Sequence, residues 1–238
     1  MDAPDEAAKP DEAGRLMQIL DSIWNGIVLG DSKWNPEKSC YDLAADYRHS
    51  GKTVEECAEN FIAWQTAKAG ATGFALGLPG FAAMALTIPA DFVSVSYLQL
   101  RMVAVIGLLF GWDARSDQFR TMAYMCLLGS AMGEIARDFG IQATTKIVAG
   151  TIQKRVSGAM LTKINQLVGT RLLTKAGSTG LINLTKVVPV LGGVVGGGIN
   201  ALVTLQIGKA AIGWLSEGPP PGDDVGEAPV TGGLPETN

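Results

Sequence analysis

PADFVSVSYLQLRMVAVIGLLFG, residues 89–111, is the stretch whose reading decides the fold. It opens on a proline, whose fixed backbone suits a first helical turn, ends near Gly111, and is apolar almost all round. Only Asp91 and Arg101 interrupt it with charge, so it reads as one long helix rather than a strand. Upstream, Leu78, Pro79 and Gly80 break the chain, and the spacing predicts a helix over Val54–Leu76. Thr53 and Glu56 open that helix as a capping box, in which each side chain satisfies a free backbone donor of the other. Before it, Asn35 as N-cap and Pro36 at the first position predict a helix over Pro36–Arg48. Leu16, Ile19, Leu20, Ile23 and Ile27, three and four apart, predict another over Glu12–Leu29.

Downstream, a polar-edged helix is predicted over Arg115–Phe139, with shorter ones over 141–156 and 159–176. A last helix follows Pro189 and ends near Trp214. No stretch alternates apolar and polar residues cleanly enough for a strand. The fold class is therefore all-α: a single apolar helical bundle over residues 13–216, flanked by disordered acidic tails at 1–12 and 217–238.

With 238 residues and no composition break in the middle, the chain fits one domain with a large core. Apolar residues make up 47% and charged residues only 18%, which is greasy for a soluble protein and makes membrane contact a hypothesis to weigh. The net charge of -4 averages unlike regions, because ten of the 23 acidic residues sit in the two tails. From Phe139 to Ser216 there is no Asp or Glu, yet the stretch holds Lys146, Lys154, Arg155, Lys163, Arg171, Lys175, Lys186 and Lys209. Such one-sided charge suits a polyanion: anionic lipid, nucleic acid, an acidic partner, or the chain's own tails folded back.

Cys40, Cys57 and Cys126 are far apart and odd in number, so they suggest neither a zinc site nor a disulfide framework, and a reducing compartment fits. The first residues are acidic and contain proline, unlike a secretory signal, so residence inside the cell is the expectation. His49 is the single histidine and lies in a polar stretch near a helix end, where it reads as a solvated surface group. That removes most of the case for hydrolase or metal chemistry, and no cofactor motif takes its place. The glycine run 192–198 fails as a phosphate loop, since Val203 stands where the first glycine before Gly208 and Lys209 would be and Ala210 follows. Close helix packing or a hinge is its reading. The GxxxG pairs Gly73 with Gly77, Gly129 with Gly133, Gly192 with Gly196 and Gly193 with Gly197 predict small-residue faces along helices.

Several blocks, in order, resemble one family: Gly77-Leu78-Pro79-Gly80, Thr87-Ile88-Pro89-Ala90-Asp91, Gln99-Leu100-Arg101-Met102-Val103-Ala104, Cys126-Leu127-Leu128-Gly129, Gly169-Thr170-Arg171-Leu172-Leu173, and the run from Val188 to Lys209. Over about residues 60 to 214 the chain resembles the bacterial EcsC family. The resemblance implies a helical, membrane-associated protein and no established activity, and it carries over no catalytic residues.

Asp91 and Arg101 are the only charges between Lys68 and Asp113. Ten residues of helix, about 15 Å of rise, keep them from pairing with each other. Asp91 lies in the first turn of its helix, where a carboxylate complements free backbone donors and the helix dipole. Arg171 projects onto the same face as Ile164, Leu167, Val168 and Leu172, and an ion pair across to Asp91 or Glu134 is its expected role. Asp91, Arg101, Glu134 and Arg171 form the candidate buried polar site, because lone ionisable groups in apolar surroundings are costly to keep. Lys146, Lys154, Arg155, Lys163 and Lys175 are the candidate contacts to anionic lipid.

The function expected from these features is that of a non-enzymatic protein at the cytoplasmic face of the inner membrane, serving transport, envelope or stress physiology. Its partner is an anionic membrane surface or a membrane protein. The uncharged run 190–208 is just long enough to span a bilayer, which leaves an integral location as the alternative. A nucleic-acid binder lacks aromatic interleaving among the basic residues, and an enzyme with an unrecognised site at Asp91, Glu134 and Arg171 is the remaining alternative.

Overall fold

The computed structural model describes residues 10–29, 38–70, 90–141, 151–152, 156–184 and 189–219. Its helices are α1 (Pro10–Leu29), α2 (Cys40–Arg48), α3 (Val54–Gly70), α4 (Ala90–Leu109), α5 (Asp117–Cys126), α6 (Met132–Asp138), α7 (Gly158–Leu184) and α8 (Pro189–Leu215). No strand occurs among the described residues, so the all-helical reading holds.

α1 buries Leu16, Leu20, Ile23, Trp24 and Ile27 along one stripe. It begins at Pro10, with Asp11 and Glu12 in its first turn facing the positive end of the helix dipole, so these residues belong to the bundle rather than to the tail. Residues 1–9 and 220–238, where disorder is expected, lie outside the described residues. α2 starts later than the Pro36 expected from sequence. Ser39 is its N-cap: the Ser39 hydroxyl accepts from the Asp42 N–H at 3.2 Å while the Asp42 carboxylate accepts from the Ser39 N–H at 3.0 Å. That reciprocal pair satisfies two first-turn donors and outcompetes the proline signal; Asn35 and Pro36 lie outside the described residues. α3 has the expected box, with the Glu56 N–H on Thr53 Oγ1 at 3.2 Å and the Thr53 N–H on Glu56 Oε2 at 2.9 Å.

The helix expected over Arg115–Phe139 is two helices. Ser116 caps α5, which ends at Cys126, and a short 3-10 turn over Gly129–Ala131 leads into α6. Gly129 has φ +62°, a left-handed conformation that glycine adopts without steric cost and that ends an α-helix. Gly129 and Gly133 therefore do not share one helix face. The Gly73–Gly77 pair lies outside the described residues. α7 runs on to Leu184, past the end expected at 176.

α4 is the centre of the bundle, with every side chain from Leu100 to Ile106 buried. α2 lies parallel to it, tied at both ends: Arg101 Nη2 donates to the Lys38 carbonyl at 3.2 Å, and Arg48 donates to the Leu108 carbonyl. A turn over 49–53 reverses the chain into α3, whose Phe61 ring meets Tyr47 edge-on at 5.1 Å. α8 runs parallel to α4, as Gln99 Nε2 donates to Thr204 Oγ1 at 3.2 Å and Trp112 Nε1 to the Leu215 carbonyl at 2.9 Å. α8 therefore passes antiparallel to α3, and so closely that a Cβ on Gly208 would stand 2.7 Å from Ile62 Cγ1. On the other side of the bundle α1 and α5 pack on α4, and α7 packs on α1 and α5. After α8, Gly218 at φ +70° donates its N–H to the Leu215 carbonyl, which holds 217–219 against the fold.

Candidate functional site

Among the described residues the core is apolar apart from Thr121 on α5 and a seam of polar side chains. α4 contributes buried Ser94, Ser96, Gln99 and Arg101, α3 contributes Gln65 and α8 contributes Thr204. Since Ile62 meets Gly208 and the two helices run antiparallel, Gln65, one turn further along α3, comes level with Thr204, one turn back along α8. Gln99 already reaches Thr204, so α3, α4 and α8 each place a polar group at one level of the bundle. Gln65 Oε1 is buried without a hydrogen-bond partner among the described residues, which costs about 1–3 kcal/mol for such a group.

Arg101 lies one half-turn beyond this level, 8% exposed. Its Nη2 holds the Lys38 carbonyl, and its Nε is buried without a partner. Beside it stands Cys40, fully buried at the start of α2. Burial pushes the Cys40 thiol up to about 12, and the opposing pull of the Cys40 and Tyr41 amides and the Arg101 charge is smaller. The thiol is thus protonated and enclosed, unlike a nucleophilic cysteine.

The four sequence candidates do not gather into one buried site. Arg101 is in the core against α2, whereas Arg171 and Glu134 meet at the α6–α7 surface. Arg171 Nη1 lies 2.7 Å from Glu134 and Nη2 lies 2.9 Å from Asp138, with side-chain exposures of 32%, 55% and 49%. The Arg171–Glu134 ion pair therefore forms, but as a half-exposed triad; α7 turns the guanidinium to the rim of its packed stripe. Asp138 was missed, although its spacing four residues after Glu134 puts both on one face of α6. Asp91 sits in the first turn of α4, and its side chain lies outside the described residues. Of the lipid-contact candidates, Lys163 is exposed on α7, Lys175 is on α7 with its side chain outside the described residues, and Lys146, Lys154 and Arg155 lie outside them.

A second polar cluster had no signal in the sequence. The Tyr124 hydroxyl donates to Asp21 Oδ1 at 2.7 Å, and Arg120 bridges Asp21 at 3.8 Å and Asp117 at 2.7 Å. Burial, reinforced by the Asp21 carboxylate, drives the Tyr124 phenol far above its ordinary range. His49 is exposed, its Nδ1 2.7 Å from the Ala45 carbonyl. Among the described residues no group of three His, Cys, Asp or Glu could hold a metal ion. Among them, too, no helix is long and apolar enough to cross a membrane. The run 190–208 is part of α8, whose Thr204, Ile207 and Gly208 pack inward.

No curated protein and no solved structure matches the chain. The profile of the EcsC protein family matches residues 17–215. That range takes in most of α1, all of α2 and α3, and His49, well beyond residues 60–214 that carry the resemblance in the sequence. It begins within α1 and ends on Leu215, whose carbonyl receives Trp112, so the matched unit and the helical bundle coincide, and the chain belongs to the EcsC protein family.

Proposed function

We propose that the protein is a non-enzymatic, peripheral component of the cytoplasmic face of the membrane, held to anionic headgroups by the basic side chains of its C-terminal half and serving transport, envelope or stress physiology there. The observation that carries this reading is the run from Phe139 to Ser216, which contains eight Lys and Arg and no Asp or Glu. Within it Lys163 on α7 and Lys209 on α8 are exposed, while the Arg171 charge is taken up by Glu134 and Asp138. The headgroup contacts in this reading are Lys146, Lys154, Arg155, Lys163 and Lys175.

Each basic residue at an anionic surface contributes about 1 kcal/mol, within a Debye length of about 8 Å at physiological salt. Changing Lys154, Arg155 and Lys163 together to Glu should weaken sedimentation with phosphatidylglycerol vesicles by about a hundredfold or more, leave neutral phosphatidylcholine vesicles unaffected, and lose its effect in high salt. Circular dichroism checks that the variant is folded. Equal sedimentation of wild type and variant on the anionic vesicles would refute the reading and turn attention to an acidic protein partner.

A further inference from the structure

Arg101 is a cation on α4, at the centre of the bundle and only 8% exposed, and the described residues give it no carboxylate. Its partner among the described residues is a backbone carbonyl, that of Lys38, and its Nε is buried with no acceptor. A guanidinium carries five donors and cannot shed its proton, so it can be neutralised only by an anion. Leaving a buried charge without one is among the costlier things a fold can do. Of the described carboxylates on α2, Asp42 accepts from the Ser39 N–H and hydroxyl, and Asp46 pairs with Lys38 at 2.6 Å; Asp31, Glu37 and the Asp91 side chain lie outside the described residues.

The surroundings add a second feature of the same sign. Arg101 reaches the residue immediately before the N-cap of α2, so the guanidinium stands at that helix's positive end. The Cys40 and Tyr41 amides of the first turn are directed at the Cys40 sulfur, an uncharged group. Arg101 from α4 and these amides from α2 thus act on the same group, the Cys40 sulfur. Arg48, the other arginine joining the two helices, lacks this character: it is exposed and its Nη2 lies against the Leu108 and Leu109 carbonyls at a helix C-terminus, where a cation is at home.

We propose that Arg101, with the first turn of α2, is a binding site for a small oxyanion of the phosphate or carboxylate type, free or carried on a lipid headgroup. The site is independent of the basic surface on α7 and does not rest on the membrane reading. Bound oxyanion would accept from Nε and, in place of the Cys40 sulfur, from the Cys40 and Tyr41 amides, and would bring the guanidinium to neutrality.

The test is the melting temperature of the full chain in inorganic phosphate, in acetate and in chloride at equal ionic strength. At phosphate ten times its Kd the wild type should gain about 3–6 °C over chloride. Arg101→Met and Arg101→Gln should lose that gain, and Arg101→Lys, which keeps charge but not the planar fork, should keep only part of it. The triple Glu variant on residues 154, 155 and 163 should keep all of it. Short-chain phosphatidic acid below its micelle concentration, compared with inorganic phosphate, separates the two sources by which of them binds at the lower concentration. Absence of any gain in the wild type from phosphate or acetate overturns the proposal, whether or not the Arg101 variants fold. So does an equal gain in Arg101→Met, which would place the anion elsewhere. Loss of stability in Asp31→Asn with Glu37→Gln matching that of Arg101→Met, with no phosphate gain in the wild type, would assign the counter-charge to the chain itself.

Discussion

Replacing Gly107 with Ala tests the packing of the core at its tightest point. Gly107 lies in α4 where the Phe119 ring of α5 presses on the helix backbone, and an added Cβ would stand 2.0 Å from Cζ and 2.4 Å from Cε2. Carbon atoms in ordinary contact are about 3.5–4.0 Å apart, so the overlap exceeds an ångström. The ring has no ready escape, because Phe119 is fully buried with the Trp112 ring stacked at 5.9 Å and the Trp24 ring tilted at 5.8 Å. Either α4 and α5 separate or three aromatic rings shift together. Overpacking of this kind costs about 1–3 kcal/mol, and the upper end applies to an overlap with a ring held on two sides. Ala in place of Gly within a helix returns about 1 kcal/mol. The net loss should be about 2 kcal/mol, or about 4–8 °C in Tm for a chain of this length. Urea unfolding followed by circular dichroism measures it. Phe119→Leu in the Gly107→Ala background makes room for the methyl, so the double variant should be more stable than the two single losses predict, with a coupling of about 1–2 kcal/mol. A Gly107→Ala protein within about 0.5 kcal/mol of wild type, at unchanged denaturant dependence, would refute the claim that the α4–α5 contact is rigid.

Other expectations follow from the polar groups. Arg171→Met should cost about 1 kcal/mol or less by urea unfolding, because its ion pairs with Glu134 and Asp138 are half-exposed; a loss of about 3–5 kcal/mol would mean the pair is buried in solution. Cys40, Cys57 and Cys126 are buried, and burial holds the Cys40 and Cys126 thiols up at about 12. A thiol-specific chromogenic reagent at pH 8 should therefore find all three only after unfolding, and rapid reaction of any one in the native protein would contradict that burial. Burial also raises the Tyr41 phenol to about 12 and the Tyr124 phenol further. Since the folded values exceed the unfolded value near 10, the stability these groups contribute is complete below about pH 10 and lost as pH rises toward and beyond 12. Melts from pH 9 to 12 should fall more steeply for wild type than for Tyr124→Phe, and parallel curves would show that the phenol does not couple to folding.

Much of the bundle was legible because its signals were local. The Thr53–Glu56 box, the three-and-four spacing in α1 and the unbroken apolarity of α4 each fix a helix from within a few turns of chain. The break after Cys126 was not legible, since Gly129 in a left-handed turn and Gly129 inside a helix look alike in sequence; the packing of α5 and α6 selects between them. The same limit applies to charge. The positions of Glu134 and Arg171 allowed an ion pair to be expected, but whether it is buried depends on how α7 is rotated on α1 and α5. Tyr124 and Asp21, more than a hundred residues apart, carry no mark in the sequence that they meet. For Arg101 the sequence located an isolated cation in an apolar helix, and the structure added its neighbour, the first turn of α2.

The union of α8 with the earlier half of the chain bears on the order of events during synthesis. Thr204 and the Leu215 carbonyl receive their donors from residues 105 and 103 positions earlier, and Gly208 fits against Ile62 from further back still. Contacts of such separation form slowly, and a ribosome delivers their second partner last. Until α8 emerges, the flanks of α3 and α4 that it will cover face water, including Ile62, and so does Trp112 in the turn after α4. The nascent chain therefore spends most of its elongation as a sticky, incomplete bundle, and a truncation only a turn or two short of Leu215 should leave it dependent on chaperones and open to proteolysis.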